Sequence, residues 1–310
     1  MPREPIVSDL TLRAAIVTLL AWATPIGTAH ALVPPIQFSA QTTPSNSDGV
    51  KIAFAECPIG TTVLGGGGFT TGAAGEVVIQ AAFPMFDFGL NRNIFVVKAT
   101  ESETGTAAPW SLTAHAYCTV SDFGDRIVAL SAYDYSPIKS VTVKCPRWTE
   151  VAGMGGEVSR LPDEPRRLTS SMPPASVIFQ GFEVNADRTE VTAWATEVGA
   201  AIGADPYGGQ WQVAAVAYCI QPAYYNGLER NEYGHSSLNA SDSVVSVGCT
   251  PGKQIVATGS TVDDSEMGQW YLDRVSTYST LQNRAVGEAT RHEGLTSVHQ
   301  HVYSICVDKK

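Results

Sequence analysis

Apolar and polar residues alternate along several stretches of this chain. From 110 to 118, Trp110, Leu112, Ala114, Ala116 and Cys118 share one face at period two, and Ser111, Thr113, His115 and Tyr117 share the other. That is the signature of a β-strand with one face on a core. Ala53, Ala55 and Cys57 alternate in the same way, as do Val141, Val143 and Cys145; each set leads through a Pro or Gly turn into a second strand rich in glycine. Further strands are expected over 77–82, 94–100, 177–183, 190–196 and 270–276. No long stretch carries a helical period, so the chain reads as all-β, with four or five short strands per unit.

The units repeat. Cys57, Cys145 and Cys249 each open a segment with a β-branched residue six positions on and a glycine ten positions on. Trp110 to Cys118 matches Trp211 to Cys219 at the Trp, the small apolar sites, the Tyr and the Cys, whereas the third closing segment, Val298 to Cys306, is degenerate. Arg92, Arg188 and Arg284 sit 96 residues apart (188 − 92 and 284 − 188) in front of Ala-Thr-Glu or Ala-Thr-Arg. Three tandem β-sheet repeats, each too small to bury an independent core, predict one pseudo-threefold, β-prism-like body.

The N-terminus reads differently. Arg3 and Arg13 precede an apolar run from Ala14 to Ala23, which Pro25 and Gly27 interrupt before Ala29-His30-Ala31. This is the layout of a secretory signal peptide, and the run is too short for a membrane span. The expected organisation is a signal peptide over 1–31, a flexible leader over 32–49, repeats over 50–120, 140–221 and 243–310, and linkers over 121–139 and 222–242. Only 16% of the 310 residues are charged, 28 are glycine, and the formal charge is −10. An anionic chain repels phosphate backbones, so nucleic acid is a poor partner, and no later segment offers a membrane span. A secreted, extracellular or periplasmic protein follows.

Export makes the six cysteines legible as disulfides. Each repeat owns one opening and one closing Cys, so the economical pairing is Cys57 with Cys118, Cys145 with Cys219 and Cys249 with Cys306. Each loop closed in this way contributes about 4 kcal/mol in the chain-entropy account. Pairing between neighbours, such as Cys118 with Cys145, stays open, because six cysteines allow about 15 connectivities.

The opening Cys-Pro-x-Gly-x-x-Val-x-Gly-Gly-Gly, the later Trp and the Ala-x-Ala-Tyr-Cys close resemble repeats of uncharacterised secreted bacterial proteins of actinobacterial type. The first repeat carries the pattern most completely; the second has Arg147-Trp148 in its turn, and the third lacks the closing Trp and the triple Gly. In architecture alone, a Cys-Pro threefold β repeat is similar to the vitelline membrane outer layer protein. That likeness implies a β-prism and leaves function open.

The chain has no nucleophile elbow, Walker loop or His-Glu-x-x-His motif. Ser136-Pro137-Ile138-Lys139 matches Ser-x-x-Lys formally but leads into a strand instead of a helix. His299 and His301 would share a strand face, and His292 or an acid would be the third ligand of a metal; two ligands with no fixed third make a weak site. Asp263-Asp264-Ser265-Glu266 lacks a calcium-loop ladder and reads as a solvated acidic turn. The phase of Trp110 and Trp211 places them in the core, and the recurring arginines read as ion-pair partners of Glu101 or Glu197.

That leaves Tyr133, Tyr135, Tyr224, Tyr225 and Tyr233 in the linkers as candidate binding aromatics. The expectation is a non-catalytic binding or extracellular structural protein with a glycan or surface ligand and no cofactor. The alternative is an extracellular hydrolase or metal-dependent enzyme built on His292, His299 and His301 with Asp263 or Glu266.

Overall fold

The computed structural model describes residues 35–73, 75–102, 105–120, 124–160, 176–198, 207–225, 227–238, 241–264, 270–277, 283–291 and 297–309. The signal peptide, His292 and Glu266 lie outside them. Among the described residues the chain forms eighteen strands, one short 3-10 turn at Pro222–Tyr224, and no α-helix. The first repeat supplies β1 (Ile36–Thr42), β2 (Val50–Glu56), β3 (Thr62–Thr71), β4 (Val77–Asp87), β5 (Arg92–Glu101) and β6 (Ser111–Thr119). The second supplies β7 (Gly124–Leu130), β8 (Ile138–Lys144), β9 (Glu150–Ser159), β10 (Val177–Val184), β11 (Glu190–Glu197) and β12 (Gln212–Ile220). The third supplies β13 (Glu229–Leu238), β14 (Asp242–Gly248), β15 (Lys253–Asp264), β16 (Trp270–Thr277), β17 (Arg284–Arg291) and β18 (Ser297–Asp308).

Six strands per repeat exceed the four or five expected. The extra one comes from segments read as connections: the leader holds β1, and the two linkers hold β7 and β13. Each is an edge strand paired with the closing strand of its own repeat. An edge strand of this kind is half solvated and polar, as in Ile36-Gln37-Phe38-Ser39-Ala40-Gln41-Thr42, so it carries little period-two signal.

The repeats interlock. The strands form three six-stranded antiparallel sheets in the orders β1-β6-β3-β16-β17-β14, β7-β12-β9-β4-β5-β2 and β13-β18-β15-β10-β11-β8. Every sheet takes three strands from one repeat and three from another, joined by short equivalent pairings: Phe69 with Arg274, Glu157 with Ala81 and Thr261 with Gly181. The last repeat pairs with the first, which closes a pseudo-threefold, β-prism-like ring. Within each repeat the two halves belong to different sheets and pack face to face as a blade. The disulfides Cys57–Cys118, Cys145–Cys219 and Cys249–Cys306 each staple the two halves of one blade.

At the centre β3, β9 and β15 approach one another closely. A Cβ on Gly153 would stand 1.6 Å from the Leu64 carbonyl oxygen, and one on Gly65 2.6 Å from that of Val256, so only glycine lets the backbones meet there. The blades hold the main core, which includes Trp110 and Trp211, both fully buried. The Trp110 indole N–H donates to Glu101 at 3.1 Å, with the Lys51 ammonium 4.7 Å from its ring centroid; Trp211 repeats this with Glu197 at 2.7 Å and Lys139 at 4.8 Å. The expected arginine partners are therefore corrected. Arg92 pairs with Glu56, Arg188 with Glu150 at 2.6 Å, and Arg284 donates to the Ser246 hydroxyl at 2.9 Å. Glu101 and Glu197 are taken by the tryptophans.

Candidate functional site

In each blade the core takes one phase of a strand. In β6, Leu112, Ala114 and Ala116 join the main core, while Thr113, His115 and Tyr117 point to the opposite face. The opposite faces of the three sheets line three inter-repeat clefts, and the equivalent positions in them carry unlike residues.

In the cleft between the first two repeats the walls meet. Ala81, Phe83, Met85, Ile94, Val96 and Val216 form a second apolar cluster, with a Lys98–Glu157 ion pair buried beside it. The cleft between the second and third repeats encloses a cavity of about 410 Å³. The half-buried Trp194 of β11 forms one wall; Glu183 and Gln180 of β10 stand next to it, and Thr261 and Asp263 of β15 with His301 and Tyr303 of β18 stand across. Glu232 of β13 closes the rim.

These groups are held in a ladder. The Tyr303 hydroxyl donates to Glu183 at 2.6 Å, and the Arg230 guanidinium lies 4.9 Å from the Tyr303 ring centroid. Arg230 also pairs with Glu232 at 2.7 Å, and His301 Nδ1 lies 2.8 Å from the other Glu232 oxygen. Burial pushes the Glu232 carboxyl upward, but hydrogen bonds from His301 and Arg230 outweigh it and hold it below the ordinary range. Burial first, and then the hydrogen bond and charge of Glu183, push the Tyr303 phenol far above its usual value. Tyr303 therefore stays a neutral hydrogen-bond donor at any physiological pH, which is the wrong state for a nucleophile.

Of the candidates read from sequence, His301 and Asp263 meet in this cleft. His299 is exposed, and its Nδ1 bonds the Ser236 hydroxyl at 2.8 Å. None of the five linker tyrosines lines it. Tyr225 is buried, with its hydroxyl donating to Thr119 at 3.2 Å, and Tyr133 donates to the Arg160 carbonyl at 2.6 Å. Tyr135, in the connection from β7 to β8, Tyr224, in the 3-10 turn, and Tyr233, on β13, are exposed. Among the described residues, the one group of three metal-type ligand atoms close enough to share an ion is Glu229 with Cys249 and Cys306, and those sulfurs form a disulfide.

Trp194, Glu183, Glu232 and Tyr303 went unread in the sequence. A signal existed for Trp194: Val191, Ala193 and Ala195 hold the core phase, so the phase rule that buries Trp110 and Trp211 turns Trp194 outward. No protein-family model matches this chain, and no curated protein is significantly similar to it.

Proposed function

We propose that this is a secreted, disulfide-stapled β-repeat protein that binds a neutral glycan, without catalysis, in the cleft between its second and third repeats. The observation that carries the reading is Trp194 standing beside Glu183, Gln180 and Asp263 in one open cavity. An indole face stacks on the apolar CH patch of a sugar, and planar carboxylate and amide groups accept and donate to its hydroxyls. The carboxylates Glu183 and Glu232 also disfavour anionic ligands, in line with a net charge of −10. Three disulfides and the signal-like N-terminus support export, and no helix among the described residues is long and apolar enough to cross a membrane. The resemblance to secreted bacterial repeat proteins points the same way.

A glycan array probed with the full chain, with and without chelator, tests the reading. Retention of neutral sugars that chelator leaves unchanged and Trp194→Ala abolishes is expected. Retention that Trp194→Ala leaves intact sinks the assignment, and turnover of a bound glycan would favour the hydrolase alternative.

A further inference from the structure

The third cleft, between the first and third repeats, has a chemistry of its own. Its cavity of about 280 Å³ is lined by Phe38, Phe69, Tyr117 and Ile255, together with Lys309 and His115. Among the described residues no carboxylate lines it. At roughly nine water volumes it has room for a single ring with a short side chain.

His115 is the anomaly. It faces Gly67, ten residues after Cys57; the equivalent glycines Gly155 and Gly259 face Val216 and Tyr303. It is 2% exposed, stacked on Phe38 at 5.8 Å and edge-on to Tyr117 at 5.8 Å, and its Nε2 is buried with no hydrogen-bond partner. A buried polar atom left unpaired is costly, and an apolar residue is tolerated at this position in the second repeat. Burial, reinforced by the Arg274 charge, lowers the imidazole pKa to about 3, so the ring is neutral and its Nε2 either donates or accepts according to tautomer. A hydroxyl matches either state once the ring turns its Nε2, buried as it stands, toward the cavity. The neighbouring Tyr117 hydroxyl is already engaged with Thr277 at 2.6 Å, which leaves His115 as the unsatisfied group. Among the described residues the cations nearby are Lys309, on the cavity wall, and Arg274, whose guanidinium sits 4.7 Å from the Phe69 ring centroid while it pairs with Glu288 at 3.2 Å. The field in this cleft therefore favours an anion, opposite to that of the glycan cleft.

We infer that this cleft is a second, independent binding site for a small carboxylic acid with an apolar, hydroxylated body: carboxylate at Lys309, body between Phe38, Phe69 and Tyr117, hydroxyl at His115. Titration calorimetry on the full chain with hydroxyphenylpropionate, phenylpropionate and tyramine tests it. Saturable one-to-one binding of hydroxyphenylpropionate is expected, with phenylpropionate about tenfold weaker for want of the hydroxyl and no detectable tyramine binding. Lys309→Glu should weaken hydroxyphenylpropionate at least about tenfold with Tm unchanged. His115→Val, which copies the second repeat, should erase the preference for the hydroxyl; if that variant does not fold, the three-ligand comparison on the unaltered chain decides. No saturable binding, tyramine binding as tightly as the acid, or an undiminished affinity in Lys309→Glu overturns the inference. Trp194→Ala should leave this binding untouched, so its failure and that of the glycan reading are separable.

Discussion

The cleft between the first and second repeats and the cleft between the second and third are built from equivalent sets of six strands in the same order, yet one is filled and the other open. At equivalent register positions the first cleft has Phe83, Val216, Lys98 and Glu157 where the second has Glu183, Tyr303, Trp194 and Thr261. In the filled cleft the apolar side chains reach one another and the walls dock. In the open one, Glu183, Glu232 and Asp263 stand around a cavity that no apolar cluster fills, and the walls meet through the Tyr303–Glu183 hydrogen bond. The blade-facing phase of each strand is constrained by close packing and the disulfide, whereas the cleft-facing phase is free to vary. Three copies of one fold unit thus produce one structural seam and two cavities of opposite charge character.

The largest test of that contrast lies in the seam. Lys98 and Glu157 are each only 3% exposed, so Lys98→Met strands a buried carboxylate and should cost about 3–5 kcal/mol in guanidinium unfolding. Adding Glu157→Leu should recover most of the loss. A single-substitution cost below about 1 kcal/mol would show that water enters the seam and that the two clefts differ less than their side chains suggest.

A second test separates blade from cleft. Trp211→Ala empties a fully buried site and should cost about 3–5 kcal/mol without changing glycan affinity in a folded sample. Trp194→Ala removes a half-buried cleft wall and should cost about 1 kcal/mol or less while abolishing glycan retention. Reversal of the two outcomes would exchange the roles of core and site.

How much of this was legible follows from the same distinction. Period two places a residue on a face, so the burial of Trp110 and Trp211 was readable from their phase. The cysteine bookkeeping pointed to the pairing within each repeat that the blades display. Which strand lies across a cleft is not a local property. Glu183 comes from the second repeat, Glu232 and His301 come from the third, and only the exchange of half-repeats between sheets brings them together. The linker tyrosines were favoured because they escaped a strand pattern, but both linkers carry edge strands whose alternation is weak.

A third, smaller effect concerns a bulge. Gln80, Gln180 and Asp273 occupy equivalent bulges, and only the third repeat carries an acid there. Burial pushes Asp273 up to about 7 against the hydrogen bond from Thr290; the Glu288 charge adds to the rise and Arg274 opposes it. The folded state then holds a proton that the unfolded chain, with an ordinary carboxyl near about 4, releases. Between about pH 4 and 7 folding takes up that proton, so stability falls as pH rises through the window. Asp273→Gln should remove this slope and raise stability at pH 8 by on the order of 2 kcal/mol, read from unfolding curves across pH. An unchanged slope would place the titration elsewhere, and His115 is no substitute: its lowered pKa makes stability fall as pH drops from about 6.5 toward 3, the opposite sign.

The smallest expected effect applies the comparison to the turns. After each opening cysteine the chain passes through a left-handed residue: Gly60 at φ 79°, Trp148 at φ 69° and Gly252 at φ 91°. Trp148 is 89% exposed, so its side chain finds little burial to offset a conformation that costs a non-glycine residue about 1–2 kcal/mol. Replacement by glycine relieves that strain but returns about 0.5–1 kcal/mol through the greater freedom of the unfolded chain. The net gain for Trp148→Gly should therefore be about 0.5 kcal/mol, measurable as a small rise in Tm at constant m-value. A loss instead would mean that the indole makes stabilising contacts of its own, and the second repeat's turn would then join its cleft as a place where the repeats diverged in use as well as in sequence.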